Sequence, residues 1–216
     1  MFFFDMDGTL TDSNGVWKTV DREFLARRGL PYTHAYYEGV AHTILPLAAE
    51  FTKKFCRLPE SCEEIMAEWM ELAKDAYAHV PVKPGVRAYL KQCRAEGRRM
   101  AVVTSSVPEH CRTALGQLGL EKYFEGVTFA HDLRLEKRSP DIWLEAARAA
   151  GVRPEDCTVF DDSLSACKGA RAARMRVVGV YDHLFAQDER AMRRFCDVYI
   201  KSFEELLLPE RKERRS

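Results

Sequence analysis

The chain has 216 residues, of which 33 are basic and 33 acidic, so its formal net charge is zero. A neutral chain has no overall field that would draw it to nucleic acid or to a membrane surface, and its length suits one core with a smaller inserted module. The seven cysteines form no C-x-x-C pair, and no apolar run is long enough for a signal peptide or a membrane span. We therefore expect a cytoplasmic protein whose partners include neither nucleic acid nor a membrane.

The first predicted element is a short strand over residues 2–4, three phenylalanines in a row. Such a run is typical of a strand that is buried on both faces. Because side chains alternate along a strand, Asp5 and Asp7 are expected on the same side, roughly 6–7 Å apart along the backbone. Gly8 follows, and the absence of a Cβ atom there allows a sharp turn and a close approach to the backbone. The stretch is therefore predicted to hold a charged ligand.

A helical segment is predicted next, because no convincing strand pattern occurs between residues 12 and 80. Two apolar stripes recur there at helical spacing, and Ser61 and Glu64 between them have the spacing of a capping box. The stripes are Val16, Val20 and Phe24, followed by Ile65, Trp69, Leu72 and Ala76.

The exit from this segment is marked by Pro81 and Pro84, which stiffen the chain. We expect an α/β core made of residues 1–13 and 83–216, and a helical cap made of residues 14–82. The two crossings between them are expected to form a hinge.

Beyond the cap, short β-rich runs alternate with helical patterns, and strands separated by helices imply a parallel sheet. Ser106 and Glu109 have the spacing of a further capping box, which would start one of these helices. The pattern predicts an α/β fold with a Rossmann-like parallel-sheet core and an inserted α-helical cap. The predicted strands are residues 99–104, 127–130, 158–161, 176–180 and 198–200.

Polar side chains occur where several of these strands end. In open parallel sheets, ligands bind beyond the carboxyl ends of the strands, so these residues are expected to meet at one edge. They are Asp5 and Asp7 after the first strand, Thr104 and Ser105 at the second, Lys137 before the helix that precedes the fourth, and Asp161 and Asp162 at the fourth.

Four pieces of sequence, DMDGTLTDS, VVTSS, KRSPDIWLEAARAAGV and VFDDS, occur in that order over nearly the whole chain. Together they resemble the haloacid dehalogenase superfamily, in the phosphoglycolate phosphatase and β-phosphoglucomutase branch with a helical cap. The resemblance implies a phosphoric monoester hydrolase that requires Mg²⁺ and forms an aspartyl-phosphate intermediate. Its substrate would be a small phosphorylated metabolite, either a sugar phosphate or a compound like phosphoglycolate.

The resemblance also implies how the acidic residues divide the chemistry. Asp5 would be the nucleophile, and forming an aspartyl-phosphate splits one difficult displacement into two easier ones. Mg²⁺ would be held by the Asp5 carboxylate, the Asp7 backbone carbonyl and Asp162, with Asp161 acting through water. Repulsion among these carboxylates should raise some of their pKa values, and Asp7 is the residue placed to act as general acid and then as general base.

The same resemblance assigns the phosphate-binding groups. Lys137 would add a positive charge, and the Thr104 hydroxyl would donate to a phosphate oxygen. Backbone N–H groups around Met6, Gly8 and Ser105 would donate to the remaining oxygens. Phosphoryl transfer depends chiefly on positioning and charge stabilisation of this kind.

Departures from the family pattern define the alternatives. Trp17 stands where β-phosphoglucomutases have a histidine, which ranks a sugar-phosphate mutase second to a phosphatase. In GVAHT, His42 occupies a place where many relatives carry arginine, and it is the candidate substrate-specificity residue. Ala166 and Arg174 replace common glycines, which leaves the local loop and helix-end geometry open.

A third alternative is a non-catalytic binding protein on the same fold, since fold alone does not determine function. The intact acidic, threonine and lysine motifs argue against it. We expect the protein to work as a monomer.

Overall fold

The structure is a computed structural model that describes residues 1–41 and 43–208. Its centre is a six-stranded sheet in which each neighbouring pair of strands is parallel. The order β3-β2-β1-β4-β5-β6 places the first strand in the middle of the sheet and confirms the predicted α/β class. The strands are β1 (Phe2–Phe4), β2 (Met100–Thr104), β3 (Val127–Phe129), β4 (Thr158–Asp161), β5 (Arg176–Val180) and β6 (Val198–Ile200).

The described helices fall into two groups. Four lie between residues 12 and 80, where the helical segment was predicted: α1 (Asn14–Ala26), α2 (His34–Val40), α3 (Leu45–Cys56) and α4 (Cys62–Ala78). The others connect or follow the later strands: α5 (Val86–Ala95), α6 (Pro108–Gln117), α7 (Ala130–Leu133), α8 (Pro140–Ala149), α9 (Leu164–Ala172) and α10 (Glu189–Phe195).

Strand β1 is buried on both faces, as its phenylalanines predict. Phe4 lies in one apolar cluster and stacks on Phe160 of β4, with the ring centroids 4.5 Å apart. Phe3 points to the opposite face, where it packs with Ile142 and Trp143 of α8. The strand end that carries Asp5 is therefore fixed between two core layers.

The capping box at Ser61 and Glu64 is confirmed: each side chain accepts a hydrogen bond from the other residue's backbone N–H, at 3.1 and 2.8 Å. The apolar stripe that follows differs from the predicted one. Ile65 and Trp69 are buried and Leu72 is partly buried against the same cluster, but Ala76 is exposed, and the fully buried positions continue through Ala73 and Tyr77. Steps of four residues follow a helix ridge, and here that ridge lies against the neighbouring helices.

The predicted capping box at Ser106 and Glu109 is wrong. Helix α6 begins at Pro108 with Val107 as its N-cap, and no side chain caps it. The reason is that the Ser106 N–H donates to Thr104 Oγ1 at 2.9 Å, which keeps Ser106 in the turn after β2. Proline is well suited to the first helical turn that follows.

The two crossings between β1 and the α1–α4 segment run side by side. Thr11 pairs with Val82 in an antiparallel bridge, and the Asp12 N–H donates to the Pro81 carbonyl at 2.9 Å. Lys83 Nζ then donates to the Gly8 carbonyl at 2.6 Å. The entry and the exit of the segment are thus joined at one place beside the tip of β1.

Arg174 lies beyond the end of α9 with φ +66°, a left-handed conformation that glycine adopts at lower cost. Arg174 stands where relatives commonly have glycine, and the geometry of this helix end was the point that the sequence did not decide. The seven cysteines, all within the described ranges, are free thiols. Among residues 1–41 and 43–208, no helix combines the length and the apolar character needed to cross a bilayer.

Candidate active site

A cavity of about 470 Å³ lies at the carboxyl ends of the strands. Its lining combines residues from the tips of the sheet with residues from α1–α4, so the helical segment covers the sheet edge. Those from the sheet side include Asp5, Asp7, Ser105, Lys137 and Asp162.

Lys137 joins two of the predicted acidic residues. Its Nζ donates to Asp5 Oδ1 at 2.5 Å and to Asp161 Oδ2 at 2.8 Å. All three side chains are buried, and the second Asp161 oxygen accepts from the Ser163 N–H at 2.9 Å. Burial disfavours the lysine charge, but the two carboxylates outweigh that effect and raise the pKa of Lys137. Lys137 is therefore a fixed cation within the carboxylate group.

The loop of Lys137 lies directly against α9, which sequence reasoning did not reveal. A Cβ atom at Gly169 would stand 2.1 Å from the Lys137 carbonyl oxygen, so only glycine allows this approach. The same carbonyl accepts from Trp143 Nε1 at 2.8 Å.

Asp162 is positioned by the loop after β1 and by α1. Thr9 Oγ1 donates to its Oδ1 at 3.2 Å, and Asn14 Nδ2 donates to its Oδ2 at 2.8 Å. Gly8 has φ +82°, and a Cβ atom on it would lie 2.3 Å from Asp162 Oδ2. The glycine thus gives Asp162 access to the backbone beside Asp5.

This arrangement fits a divalent cation with oxygen ligands. Asp5, Asp161 and Asp162 each offer a carboxylate oxygen, and the three oxygens lie within 4.8 Å of one another. Burial, together with repulsion from Asp161, raises the pKa of Asp5 to about 6 against the opposing effect of Lys137. Burial and the neighbouring Asp5 raise the pKa of Asp162 well above its usual range. Buried carboxylates with raised pKa values gain most when a hard cation neutralises them.

Asp7 is held by residues that the sequence did not single out for that purpose. Ser13 Oγ and the Tyr77 hydroxyl both donate to Asp7 Oδ1, at 2.5 and 2.8 Å. Trp17 Nε1 donates in turn to the Tyr77 oxygen at 2.6 Å. Burial and then Asp5 raise the pKa of Asp7, whereas the bonds from Ser13 and Tyr77 oppose the rise. The position and the charge of Asp7 therefore depend on the helical segment.

The remaining predicted phosphate-binding residues lie at the same sheet edge. Thr104 is fully buried at the end of β2, and Ser105 lines the cavity. The Met6 carbonyl accepts from the N–H groups of Leu10 and Thr11, at 2.9 and 3.0 Å, which folds the loop after β1. The Gly8 N–H donates within this loop to the Thr11 carbonyl at 2.8 Å, so in this structure Gly8 contributes space and not a free donor.

His42, the candidate specificity residue, lies outside the described residues. Its neighbours Ala41 and Thr43 line the cavity. The specificity role of His42 stays a prediction.

Comparison with known proteins agrees with this geometry. A family model described as haloacid dehalogenase-like hydrolase matches residues 1–174. A phosphatase of phosphorylated carbohydrates from Thermotoga maritima is 30% identical over 94% of this chain and 94% of the relative. A β-phosphoglucomutase from Mycobacterium bovis is 29% identical over 94% of this chain and 90% of the relative.

The fold has a solved counterpart in CbbY from Rhodobacter sphaeroides, crystallised in complex with phosphate. The two structures agree with a TM-score of 0.81 and 23% identity, over 95% of each chain. The resemblance predicted from the four motifs is thereby confirmed, as is the prediction of a hydrolytic enzyme. Because the family model spans most of the sequence, the chain belongs to the haloacid dehalogenase-like hydrolase family.

Proposed function

We propose that the protein is a magnesium-dependent phosphatase of a small phosphorylated carbohydrate, acting through an aspartyl-phosphate on Asp5. One observation carries the proposal: Asp5 lies in the cavity with Lys137 at 2.5 Å and two more carboxylates beside it. A carboxylate that only stabilised the fold would not need such a cluster, because burying charges without a ligand costs free energy. The Thermotoga relative, named for phosphorylated carbohydrates, supports the substrate class.

In the first step, an Asp5 oxygen attacks phosphorus in line while the bond from phosphorus to the substrate oxygen breaks. Asp7 gives its proton to that leaving oxygen. Ser13 and Tyr77 both occupy Oδ1 of Asp7, so the transferable proton belongs on Oδ2. Lys137 stabilises the negative charge on the transferred group.

In the second step, a water molecule attacks the aspartyl-phosphate and releases inorganic phosphate. Asp7 takes a proton from this water, which restores both aspartates to their starting states. Thr104 Oγ1 accepts from the Ser106 N–H at 2.9 Å, so its hydroxyl hydrogen is left to donate to a phosphate oxygen. The Ser105 N–H is the further proposed donor.

Asp5, Asp162 and the Asp7 carbonyl would hold Mg²⁺, which when bound offsets the repulsion between the nucleophile and the phosphate. Asp161 is proposed to act indirectly, through water. Its oxygens already accept hydrogen bonds from Lys137 and Ser163, which agrees with that role.

The division into modules is part of the proposal: residues 1–13 and 83–216 form the catalytic core, and residues 14–82 form a cap. The cap helices line the cavity and would exclude bulk water once substrate is bound. Every proposed catalytic group comes from one chain, so a monomer is sufficient for the reaction.

The test is phosphate release from a panel of sugar phosphates, polyol phosphates and phosphoglycolate, with and without Mg²⁺. Asp5→Asn should abolish turnover and leave the unfolding temperature equal to or above that of the wild type, because one member of the carboxylate cluster is neutralised. Retention of a tenth of the wild-type rate by purified Asp5→Asn would contradict the covalent mechanism.

A sugar-phosphate mutase is the second candidate, and the mycobacterial β-phosphoglucomutase supports it. In a mutase, the cap would have to exclude water so well that a sugar hydroxyl takes the phosphoryl group. An isomeric product whose formation depends on a bisphosphate primer would identify this activity. Phosphate release without a primer would reject it.

A further inference from the structure

Helix α1 presents one face to the cavity and runs away from the proposed metal site. Asn14 in its first turn donates to Asp162 at 2.8 Å, and both Asn14 and Asp21 line the cavity. A helix rises 1.5 Å per residue, so Asp21 stands about 10 Å farther along the axis than Asn14. A two-carbon phosphate ester held at Asp5 would not span that distance, whereas a five- or six-carbon chain is of suitable length.

Asp21 is a buried carboxylate with little to stabilise its charge. It is 9% exposed, and Tyr36, whose hydroxyl lies 3.2 Å from Asp21 Oδ1, is its one hydrogen-bond partner among the described residues. No cation of the described chain lies within ion-pair distance of it. Burial raises the pKa of Asp21 to about 7. An apolar side chain at this position would stabilise the core more than a buried carboxylate without a cation does. Asp21 is therefore better explained by contact with a ligand in the cavity.

Other side chains that line the cavity together with Asp21 define what kind of group could bind beside it. Lys18 and Arg22 line the cavity too, but Arg22 is exposed and its guanidinium lies over the Tyr32 ring, 5.3 Å from the centroid. Trp69 also lines it, and its indole N–H is buried without a partner among the described residues. A carboxylate acceptor and an unsatisfied donor together suit a group that can both donate and accept.

We propose that Asp21 binds a hydroxyl group at the end of the substrate remote from phosphate, and so selects phosphorylated sugars and sugar alcohols over phosphorylated acids. The inference rests on the proposed phosphatase activity and narrows its substrate. A hydroxyl donates to the ionised carboxylate and accepts from the protonated one. A substrate carboxylate would instead be repelled as Asp21 ionises.

A matched pair of substrates tests this. Sorbitol 6-phosphate and 6-phosphogluconate have the same six-carbon chain and differ at the remote carbon, which is an alcohol in one and a carboxylate in the other. The wild type should prefer the alcohol. Asp21→Ala should raise KM for sorbitol 6-phosphate about 10- to 100-fold, as expected for losing a hydrogen bond to a charged group, with little change for p-nitrophenyl phosphate.

Glu23→Gln is the control, because Glu23 lies on the same helix with its side chain half exposed and paired to Arg27. It should leave the preference for the alcohol unchanged. Tyr36→Phe keeps the Asp21 carboxylate but removes its hydrogen-bond donor, and should raise KM for sorbitol 6-phosphate by a smaller factor. This variant still tests the proposal if Asp21→Ala does not fold.

The outcomes separate the two proposals. If the wild type releases phosphate from none of the three substrates, the proposed phosphatase activity itself fails. If it is active but the ratio of kcat/KM for the two six-carbon substrates is the same in wild type, Asp21→Ala and Tyr36→Phe, the role of Asp21 is rejected. A wild-type preference for 6-phosphogluconate would also overturn it, and would indicate that Lys18 binds the substrate carboxylate instead.

Discussion

The Tyr77 hydroxyl donates to Asp7 Oδ1 at 2.8 Å, across 70 residues of sequence and from helix α4 to the tip of β1. The bond to Trp17 Nε1 fixes the direction of donation, because the phenol oxygen accepts from the indole and must give its own hydrogen to the carboxylate. The α1–α4 segment therefore contacts the proposed general acid as well as lining the cavity.

Tyr77→Phe should raise the pKa of Asp7, since a hydrogen bond to the charged form of a carboxylate lowers its pKa. The basic form of Asp7 is needed in the second step, so the acidic limb of the pH–rate profile should move to higher pH. The loss of one such bond should reduce kcat about tenfold near neutral pH. Steady-state kinetics between pH 5 and 9 would measure both effects.

The matched control is Tyr89→Phe, because Tyr89 is buried in the core beside Phe160. That substitution should alter stability without moving the pH profile. An identical profile in wild type and Tyr77→Phe would show that the bond to Asp7 has no catalytic consequence.

Asp7→Asn should affect substrates according to their leaving groups. A sugar alkoxide is strongly basic and needs a proton as its bond breaks, so its release should slow by the general-acid factor of about 10²–10⁴. p-Nitrophenyl phosphate expels a stable phenolate, and its first step should be affected less. The second step still lacks its base, so rapid mixing should show a burst of nitrophenol followed by slow turnover. Equal slowing of aryl and alkyl substrates without a burst would exclude this role.

Gly8→Ala should weaken Mg²⁺ activation. A methyl group at φ +82° would lie 2.0 Å from Asn14 Nδ2 and 2.3 Å from Asp162 Oδ2, so both side chains would have to move. The left-handed backbone adds a cost of about 1–2 kcal/mol for a residue with a Cβ atom. Gly15→Ala is the control, because nothing lies within 4 Å of its Cβ position in α1. Rates at increasing Mg²⁺ concentration should be shifted in Gly8→Ala and unchanged in Gly15→Ala.

Asp21→Asn should change how stability depends on pH. The pKa of Asp21 is about 7 in the folded chain, above its ordinary value of 3.8. A raised folded pKa gives stability that is complete below the unfolded pKa and is lost as pH rises toward 7. Wild type should therefore lose about 1.4 kcal/mol per pH unit relative to Asp21→Asn between pH 5 and 6, and less as pH 7 is reached. Denaturant unfolding at several pH values would measure the free energy of unfolding of both proteins. A difference between them that does not change with pH would show that Asp21 is not the cause.

The acidic part of the site could be predicted from sequence because its residues lie at the ends of strands, whereas Lys137 lies in the loop between α7 and α8 and was found through the family motif. Predicting that Asp5 and Asp162 lie close together required only the strand positions and the rule that ligands bind beyond the carboxyl ends of parallel strands. Tyr77 and Asp21 could not be found that way, because their roles depend on how α1 and α4 pack over the sheet. Trp17 was noticed only as a departure from a family pattern, and its bond to Tyr77 has no signature in sequence spacing.

The central position of β1 has a consequence for folding kinetics. Phe2 pairs with Met100 on one side and with Thr158 on the other, so both neighbours of this strand come from much later in the chain. Contacts between such distant segments slow folding, because a long loop must close before they form. Until then the phenylalanines of β1 are exposed as an unpaired apolar strand, which is the kind of segment that aggregates. The placement that fixes Asp5 between two core layers therefore makes the strand that carries it dependent on the late stages of folding.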